Sequence, residues 1–333
     1  MAEHQALERT GLTTSRLTGG SIPWVNSFFE QPWWLDCVAP GAWGEVVVRR
    51  GNDVVARLPY VLRRRLGLRT IRQPPFTQTL GPWLAPSEGK YARRLDTEKK
   101  LLEQLIGLLP EFDFFRQCFA TAMTNWLPFY WAGFQATTQY TYRIEDLSDL
   151  DRVQGDFQEH VRRGIRKARD VVEVVHDFPL DELLRLDAQT YVRQGREAPC
   201  SPKLVQRIDA ACAQRGVRRI LGAVDARGRT HAALYVVWDE RTLYALINAR
   251  DPSLQAVGTN TLLYWEALRL ASQVSRVFDF EGSMIKPVEH YFRGFGGRQT
   301  PYFCVWKAGL KARPVLAARS AGQSLRRLGR RRG

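Results

Sequence analysis

The sequence predicts an α/β protein made of two related units in tandem, and three observations carry that expectation. At 333 residues the chain is long for one domain and comfortable for two. β-branched runs bounded by turn dipeptides alternate with stretches whose apolar residues recur at helical spacing. The second half reads helix, helix, three strands, loop, helix, strand, helix, strand, an order that resembles the first half, where a hairpin precedes a helix and more strands. With 44% hydrophobic and 25% charged residues the chain has the composition of an ordinary globular protein.

Taken in order, the first twenty residues are polar and read as a loose N-terminus without an apolar signal core. In "SIPWVNSFFEQPWWLDCVAP", Phe28, Phe29, Trp33, Trp34 and Val38 share a helical face around Pro32, which marks a break or a helix start. Two β-branched runs flank Gly51-Asn52 and predict a hairpin over about Glu45 to Leu62. The Pro-dense segment "IRQPPFTQTLGPWLAP" holds its shape at low entropic cost. It either presents Thr77, Gln78 and Trp83 to a ligand or joins strands rigidly. From Tyr91 to Leu109 apolar residues recur at helical spacing until Pro110, and "DFFRQCFATAM" follows as a buried strand.

In the second half, Val161, Ile165, Ala168 and Val172 mark one helical face, with Arg162, Arg163, Arg166, Lys167 and Arg169 on the other sides. That helix is a solvated basic surface or a patch that steers phosphates. Ser201, Pro202 and Gly216 punctuate another helix. "RRILGAVDARGRTHAALYVVWDERTLYALINARD" is the clearest strand signal, three segments separated by Asp225–Gly228 and Asp239–Arg241. The expected organisation is a loose 1–20, a first unit over 21–145, a second over 146–310, and a basic tail over 311–333.

Charge and cysteine content exclude some classes. The formal net charge is +15, and from Lys311 onward there are eight Lys or Arg and no acid. The tail is a solubilising extension or a contact for anionic lipid or nucleic acid. Five cysteines show no CxxC spacing and five histidines no HxxxH pair, so neither a metal site nor a disulfide scaffold is expected. No run approaches the roughly 20 apolar residues of a membrane span, and the expected location is the cytoplasm.

The chemistry concentrates between Leu243 and Gly297. Gly258 lies just before a helix expected over Asn260 to Val274, where free backbone N–H groups hold an anion such as a pyrophosphate. Thr259 or Asn260 is placed to cap that helix. In "VFDFEGS", strand alternation puts Asp279 and Glu281 on one face and Phe278 and Phe280 on the other. Two carboxylates there either pair with arginines or raise the proton affinity of a general base. Glu281, nearer the strand end that Gly282-Ser283 closes, is the expected base. "EHYFRGFGG" adds His290, a second candidate base or a structural histidine, and Tyr291.

These residues resemble the GNAT N-acyltransferases, in which a Q/R-x-x-G-x-G/A-like loop between strand and helix holds the pyrophosphate of acyl-CoA. Here the loop is Gln255-x-x-Gly258-x-Asn260, with Asn where that superfamily prefers Gly or Ala. "RRGIRKA", "AALYVVWDERTLYALI" and "FDFEGSMIKPVEHYFRGFGG" resemble the FemAB-like branch, and "PPFTQTLGPWL" and "NWLPFYWAGF" its polysaccharide-associated subgroup. The resemblance spans about Phe28 to Lys307. It implies two tandem GNAT-like domains, each a mixed, mostly antiparallel sheet flanked by helices. It implies acyl-CoA, acetyl-CoA in the simplest case, as co-substrate held by Leu246, Asn248, Gln255, Gly258, Thr259 and Asn260, with no metal.

The implied reaction is direct acyl transfer to an amine, such as an amino sugar or another cell-envelope precursor. Glu281 deprotonates the amine with Asp279 raising its pKa, Tyr291 protonates the thiolate or simply packs, and backbone N–H groups of Leu243–Asn248 hold the oxyanion. The acceptor would meet Thr77, Gln78, Trp83 and Tyr140 from the first half and Thr190, Arg193 and Gln194 from the second. One alternative is the Fem-type reaction, in which aminoacyl-tRNA donates to a peptidoglycan precursor and tRNA is a partner. The other is a non-catalytic GNAT fold used for binding.

Overall fold

Strand ladders order the chain once β-branched runs find partners. A computed structural model describes residues 21–193, 201–254, 257–282 and 284–314, with the side chains of 190–193 outside that description. Contacts divide the chain into two compact units. Described residues up to Thr138 and from Tyr302 onward form unit 1, and Gln139–Pro301 form unit 2. The consecutive division expected at 145 and 310 is therefore replaced by one in which the chain leaves unit 1, completes unit 2 and returns.

In unit 1, α1 (Pro32–Val38) starts at Pro32, whose missing N–H costs nothing at a first helical position. It precedes β1 (Trp43–Arg50) and β2 (Asp53–Arg65), which pair antiparallel from Trp43↔Val61 to Arg50↔Asp53. β3 (Leu68–Arg72) continues the meander antiparallel to β2, and β4 (Trp83–Leu84) pairs β2 separately. The helix α2 (Tyr91–Leu108) then carries the chain to β5 (Phe114–Cys118), parallel to β3. Leu101, Leu102 and Leu105 of α2 are buried in a core with Ile71, Phe115 and Val305. Burying each such side chain contributes about 1.5–3 kcal/mol.

A short α3 (Leu127–Trp131) leads to β6 (Gln135–Ile144), along which the chain enters unit 2. There α4 (Leu150–Gly155), α5 (Glu159–Arg169), β7 (Val172–His176), α6 (Leu180–Arg193) and α7 (Pro202–Gln214) precede a meander of β8 (Arg218–Asp225), β9 (Thr230–Trp238) and β10 (Thr242–Arg250). Then come α8 (Thr259–Val274), β11 (Val277–Asp279), α9 (Lys286–Arg293) and β12 (Arg298–Ala308), which returns the chain to unit 1. Val172, expected to continue the face of α5, instead opens β7, because "VVEVV" is β-branched and pairs with β8.

Each unit thus holds an antiparallel meander, a helix and a strand parallel to the meander's last member. In unit 1 the elements are β1-β2-β3, α2 and β5; in unit 2 they are β8-β9-β10, α8 and β11. The strand beside β11 is β6, through Arg143 and Ile144 near the start of unit 2, and the strand beside β5 is β12, through Cys304–Ala308 after unit 2. In unit 2, Leu263, Ala267, Leu268 and Ala271 of α8 pack with Leu234, Val236, Leu243 and Phe278 of the sheet.

Candidate active site

The parallel pair in unit 2 is short. β10 and β11 are in register only from Thr242↔Val277 to Tyr244↔Asp279, whereas β10 runs on against β9 to Arg250. Beyond Tyr244, β10 has no β11 residue beside it. A register irregularity between Ala245 and Ile247 places Leu246 as an extra residue there, which bends the strand locally. The opening exposes backbone groups that need partners other than a strand.

β11 ends at Asp279 because the chain turns there. The buried Asp279 carboxylate accepts hydrogen bonds from the Thr141 hydroxyl and from the Glu281 N–H at 2.7 Å, and lies 3.7 Å from Arg143 Nε. Glu281 has φ +58°, a left-handed conformation that costs a non-glycine residue about 1–2 kcal/mol. Gly282 follows at φ +63°, and a Cβ on it would come within 2.2 Å of the Tyr140 carbonyl oxygen. These contacts hold Glu281 in place. The expected strand alternation of Asp279 and Glu281 is corrected accordingly: Glu281 lies past the strand, on a turn built by Asp279.

Glu281 is half-buried as a residue, but its Oε1 is sealed from solvent and has no hydrogen-bond partner among the described residues. Burial pushes its carboxyl well above the usual carboxylate range, and the Asp279 charge pushes the same way. The buried Tyr264 of α8 is held protonated by burial first, then by its neighbours Tyr291 and Glu281. Its ring centroid lies 5.9 Å from that of Tyr291, and the Tyr291 and Thr261 hydroxyls share a 3.2 Å hydrogen bond. Burial raises Tyr291 as well, against the opposing Thr261 bond. Glu281, Tyr264, Tyr291 and Thr261 therefore gather near the first turns of α8.

That helix starts without a side-chain cap, at Gly258 with φ +87°. A Cβ on Gly258 would lie 2.1 Å from the Gly164 carbonyl oxygen of α5. The glycine is thus required by backbone packing between α5 and the start of α8, whatever else approaches it. Thr259 is buried and makes no capping bond; Asn260 Nδ2 donates to Asn248 Oδ1 at 3.1 Å, and Asn260 Oδ1 is buried without a partner among the described residues. Arg163 and Lys167, both exposed, flank Gly164 on α5.

Of the other expected site residues, Leu246 is the extra residue of β10 and Asn248 is exposed two positions further on. Tyr140 supplies the carbonyl against which Gly282 packs. Thr77, Gln78 and Trp83 belong to unit 1. The Thr77 hydroxyl accepts from Trp34 Nε1 at 3.0 Å and donates to the Pro75 carbonyl, so it is buried in a loop tie. Gln73 Nε2 donates to the Thr77 and Gln78 carbonyls, and Trp83 is half-buried in β4. Gln194, Gln255 and the side chains of Thr190 and Arg193 lie outside the described residues. His290 is exposed, stacked on His160 and 3.0 Å from Arg293.

Sequence reasoning missed Tyr264, Thr261 and Gly164. A glycine inside the basic helix was the available signal, since it costs about 1 kcal/mol relative to Ala and marks close packing. Thr261 and Tyr264 are three residues apart and so share a helix face. No group of three or more potential metal ligands occurs among the described residues.

A parallel strand pair that opens beside an uncapped helix, with a buried carboxylate at the open end, is a GNAT acyltransferase-like architecture. Residues 155–293 match the family model described as an acetyltransferase (GNAT) domain. Residues 155–293 thus carry a GNAT-type domain, and the chain as a whole is similar in fold to solved FemX and tandem GNAT structures. A crystal structure of FemX aligns with TM-score 0.60 at 10% identity over 83% of this chain and 91% of that one. A tandem GNAT protein from the clavulanic acid biosynthesis pathway aligns with TM-score 0.51 at 14% identity, covering 86% and 89%. The C-terminal domain of a putative lysylphosphatidylglycerol synthetase from Agrobacterium fabrum gives 0.51 at 12% identity, covering 83% and 87%. A sequence comparison with curated proteins finds no match.

Proposed function

We propose that this protein is an N-acyltransferase that moves an acyl group, acetyl in the simplest case, from acyl-CoA to an amine. The observation that carries this reading is Glu281, strained, half-buried and with Oε1 sealed from solvent and unpartnered among the described residues, at the open end of the β10–β11 pair. A carboxyl with raised proton affinity suits a general base that must take a proton from an ammonium or amine near neutral pH.

The residues present fit an acyl-CoA. Free N–H groups of the first turn of α8, with Arg163 and Lys167 alongside, are suited to a pyrophosphate. The unpaired edge of β10 around Leu246 offers backbone donors to an extended amide chain and to a carbonyl oxygen that gains charge. The thioester supplies the activated acyl carbon. Glu281 takes the amine proton, directly or through one water, while Asp279 fixes the Glu281 backbone and raises its proton affinity. Tyr291, which keeps its proton through burial, is the donor to the departing sulfur. Asn260, which stands where the GNAT loop pattern has Gly or Ala, ties the start of α8 to β10 by donating to Asn248. The acceptor class we favour is an amino sugar or related cell-envelope precursor.

Glu281→Gln should lower kcat/KM by about 10²–10⁴-fold while acetyl-CoA affinity, read by calorimetry, stays near the parent value. Surviving turnover would remove Glu281 from the base role. Titration of the parent with acetyl-CoA and, separately, aminoacyl-tRNA distinguishes the donors, and heat from the tRNA alone would replace acyl-CoA in this scheme.

A further inference from the structure

The edge of unit 1 where β3 and β5 begin and β12 ends carries an unusual combination of charge and exposed apolar surface. The parallel register Thr70↔Phe114 and the antiparallel register Ala308↔Phe114 bring the β2–β3 turn, the residues before Phe114 and the residues after Ala308 to that one edge. Gly309 N–H donates to the Asp113 carbonyl, and Asp113 N–H to that of Arg69, so the three segments are tied together.

Arg63, Arg64 and Arg65 are all exposed, although strand residues ordinarily alternate between a covered and an open face. Three exposed in succession means that water reaches both faces, so this end of the ribbon projects from the core. With Arg72 they line a cavity of about 400 Å³ that also includes Leu66 and Ala312. Among the described residues no carboxylate is paired with Arg63, Arg64 or Arg65; Glu111 pairs with Arg69 at 2.7 Å.

The turn itself is the second observation. Leu66 at φ +51° and Gly67 at φ +74° are both left-handed, a turn that Asn-Gly fills without strain. Leucine there costs stability, and its side chain is 77% exposed, so packing does not repay the strain. Leu310, on the segment joined to this edge, is 79% exposed. Beyond Pro314 the sequence adds six arginines and no acid.

We infer that this edge is a docking surface for an anionic lipid bilayer, with the arginines meeting headgroup phosphates and Leu66 and Leu310 entering the acyl boundary. Nucleic acid matches the charge but offers no counterpart for two exposed leucines. A bilayer matches both. The inference is independent of the donor and acceptor proposed above.

Vesicle flotation of the full chain tests it, using phosphatidylglycerol mixed equally with phosphatidylcholine against phosphatidylcholine alone. The parent should float with the mixed vesicles only. Replacing Arg63, Arg64 and Arg65 together by Ser should weaken apparent affinity by about tenfold or more. Leu66→Asn should weaken it severalfold while the melting temperature holds or rises, which separates docking from folding. Both losses should persist in a chain ending at Pro314. Hairpin variants that float like the parent would overturn the proposal in favour of the tail alone. Absence of binding to mixed vesicles, or tighter binding to a DNA duplex that ignores Leu66→Asn, would overturn it too.

Discussion

At the scale of single residues, Glu281 carries opposite consequences for activity and stability. Its carboxyl titrates higher in the folded chain than in the unfolded one, so folding favours the protonated form. The stability that Glu281 contributes is therefore fully present below the unfolded carboxylate pKa, about 4.3, and is lost as pH rises through the raised folded value. Glu281→Gln mimics the protonated form, so its melting temperature should match the parent's near pH 4 and exceed it increasingly at higher pH. Turnover runs the other way, because a base must be ionised, and the acidic limb of kcat/KM should lie above the ordinary carboxylate range. Thermal melts and rate profiles over one pH series check both signs. A melting difference that shrinks with rising pH would contradict the assignment. The sequence showed two acids near a strand end, but not which of them kept a sealed carboxylate oxygen without a partner among the described residues. That depends on Thr141 and Arg143, far away in sequence, claiming Asp279.

At the scale of elements, the start of α8 is set by its packing on α5. Gly258→Ala forces a Cβ into the Gly164 carbonyl at 2.1 Å in a left-handed backbone, and should cost about 1–3 kcal/mol along with acetyl-CoA affinity. Gly164→Ala meets Gly258 Cα at 3.5 Å, an ordinary contact, and gains up to about 1 kcal/mol of helix propensity. Urea midpoints of the two variants should therefore move in opposite directions. Equal losses would mean that the α5–α8 approach does not decide where the helix starts. The helix and its glycine were legible from "VGTNTLLYWEAL"; the partner was not, since a packed backbone carbonyl leaves no side-chain pattern. The hairpin and the three strands over Arg218–Arg250 were legible because alternation and turn dipeptides are local signals. β3 fell between the expected hairpin and the Pro-rich stretch, which it overlaps only at Ile71 and Arg72, and β7 lay in a helical frame, both too short for periodicity to arbitrate.

At the scale of the whole molecule, the chain threads through unit 2 and returns before unit 1 is complete. Cys304–Ala308 of β12 pair with Cys118–Phe114 of β5, and Val305 is fully buried in the unit 1 core. A chain ending at Pro301 should therefore leave unit 1 with an open sheet edge and an unfilled core, whereas one ending at Pro314 should not. Limited proteolysis checks this: residues 21–138 should be cut rapidly only in the shorter chain, and equal resistance would show that β12 is dispensable. Among the described residues no helix is long and apolar enough to cross a membrane.

The sequence by itself signalled an α/β chain of two units, most strands and helices of the second and two neighbouring acids after its last helix but one, because periodicity, turn residues and glycine placement are local consequences of backbone sterics. Only the tertiary structure decided that Asp279 is a structural acid and Glu281 the unpartnered one, that Gly258 serves Gly164, and that β6 and β12 complete sheets distant from them in sequence. Burial, like-charge proximity and strand pairing are properties of what lies nearby in space, and no stretch of sequence contains its own neighbours.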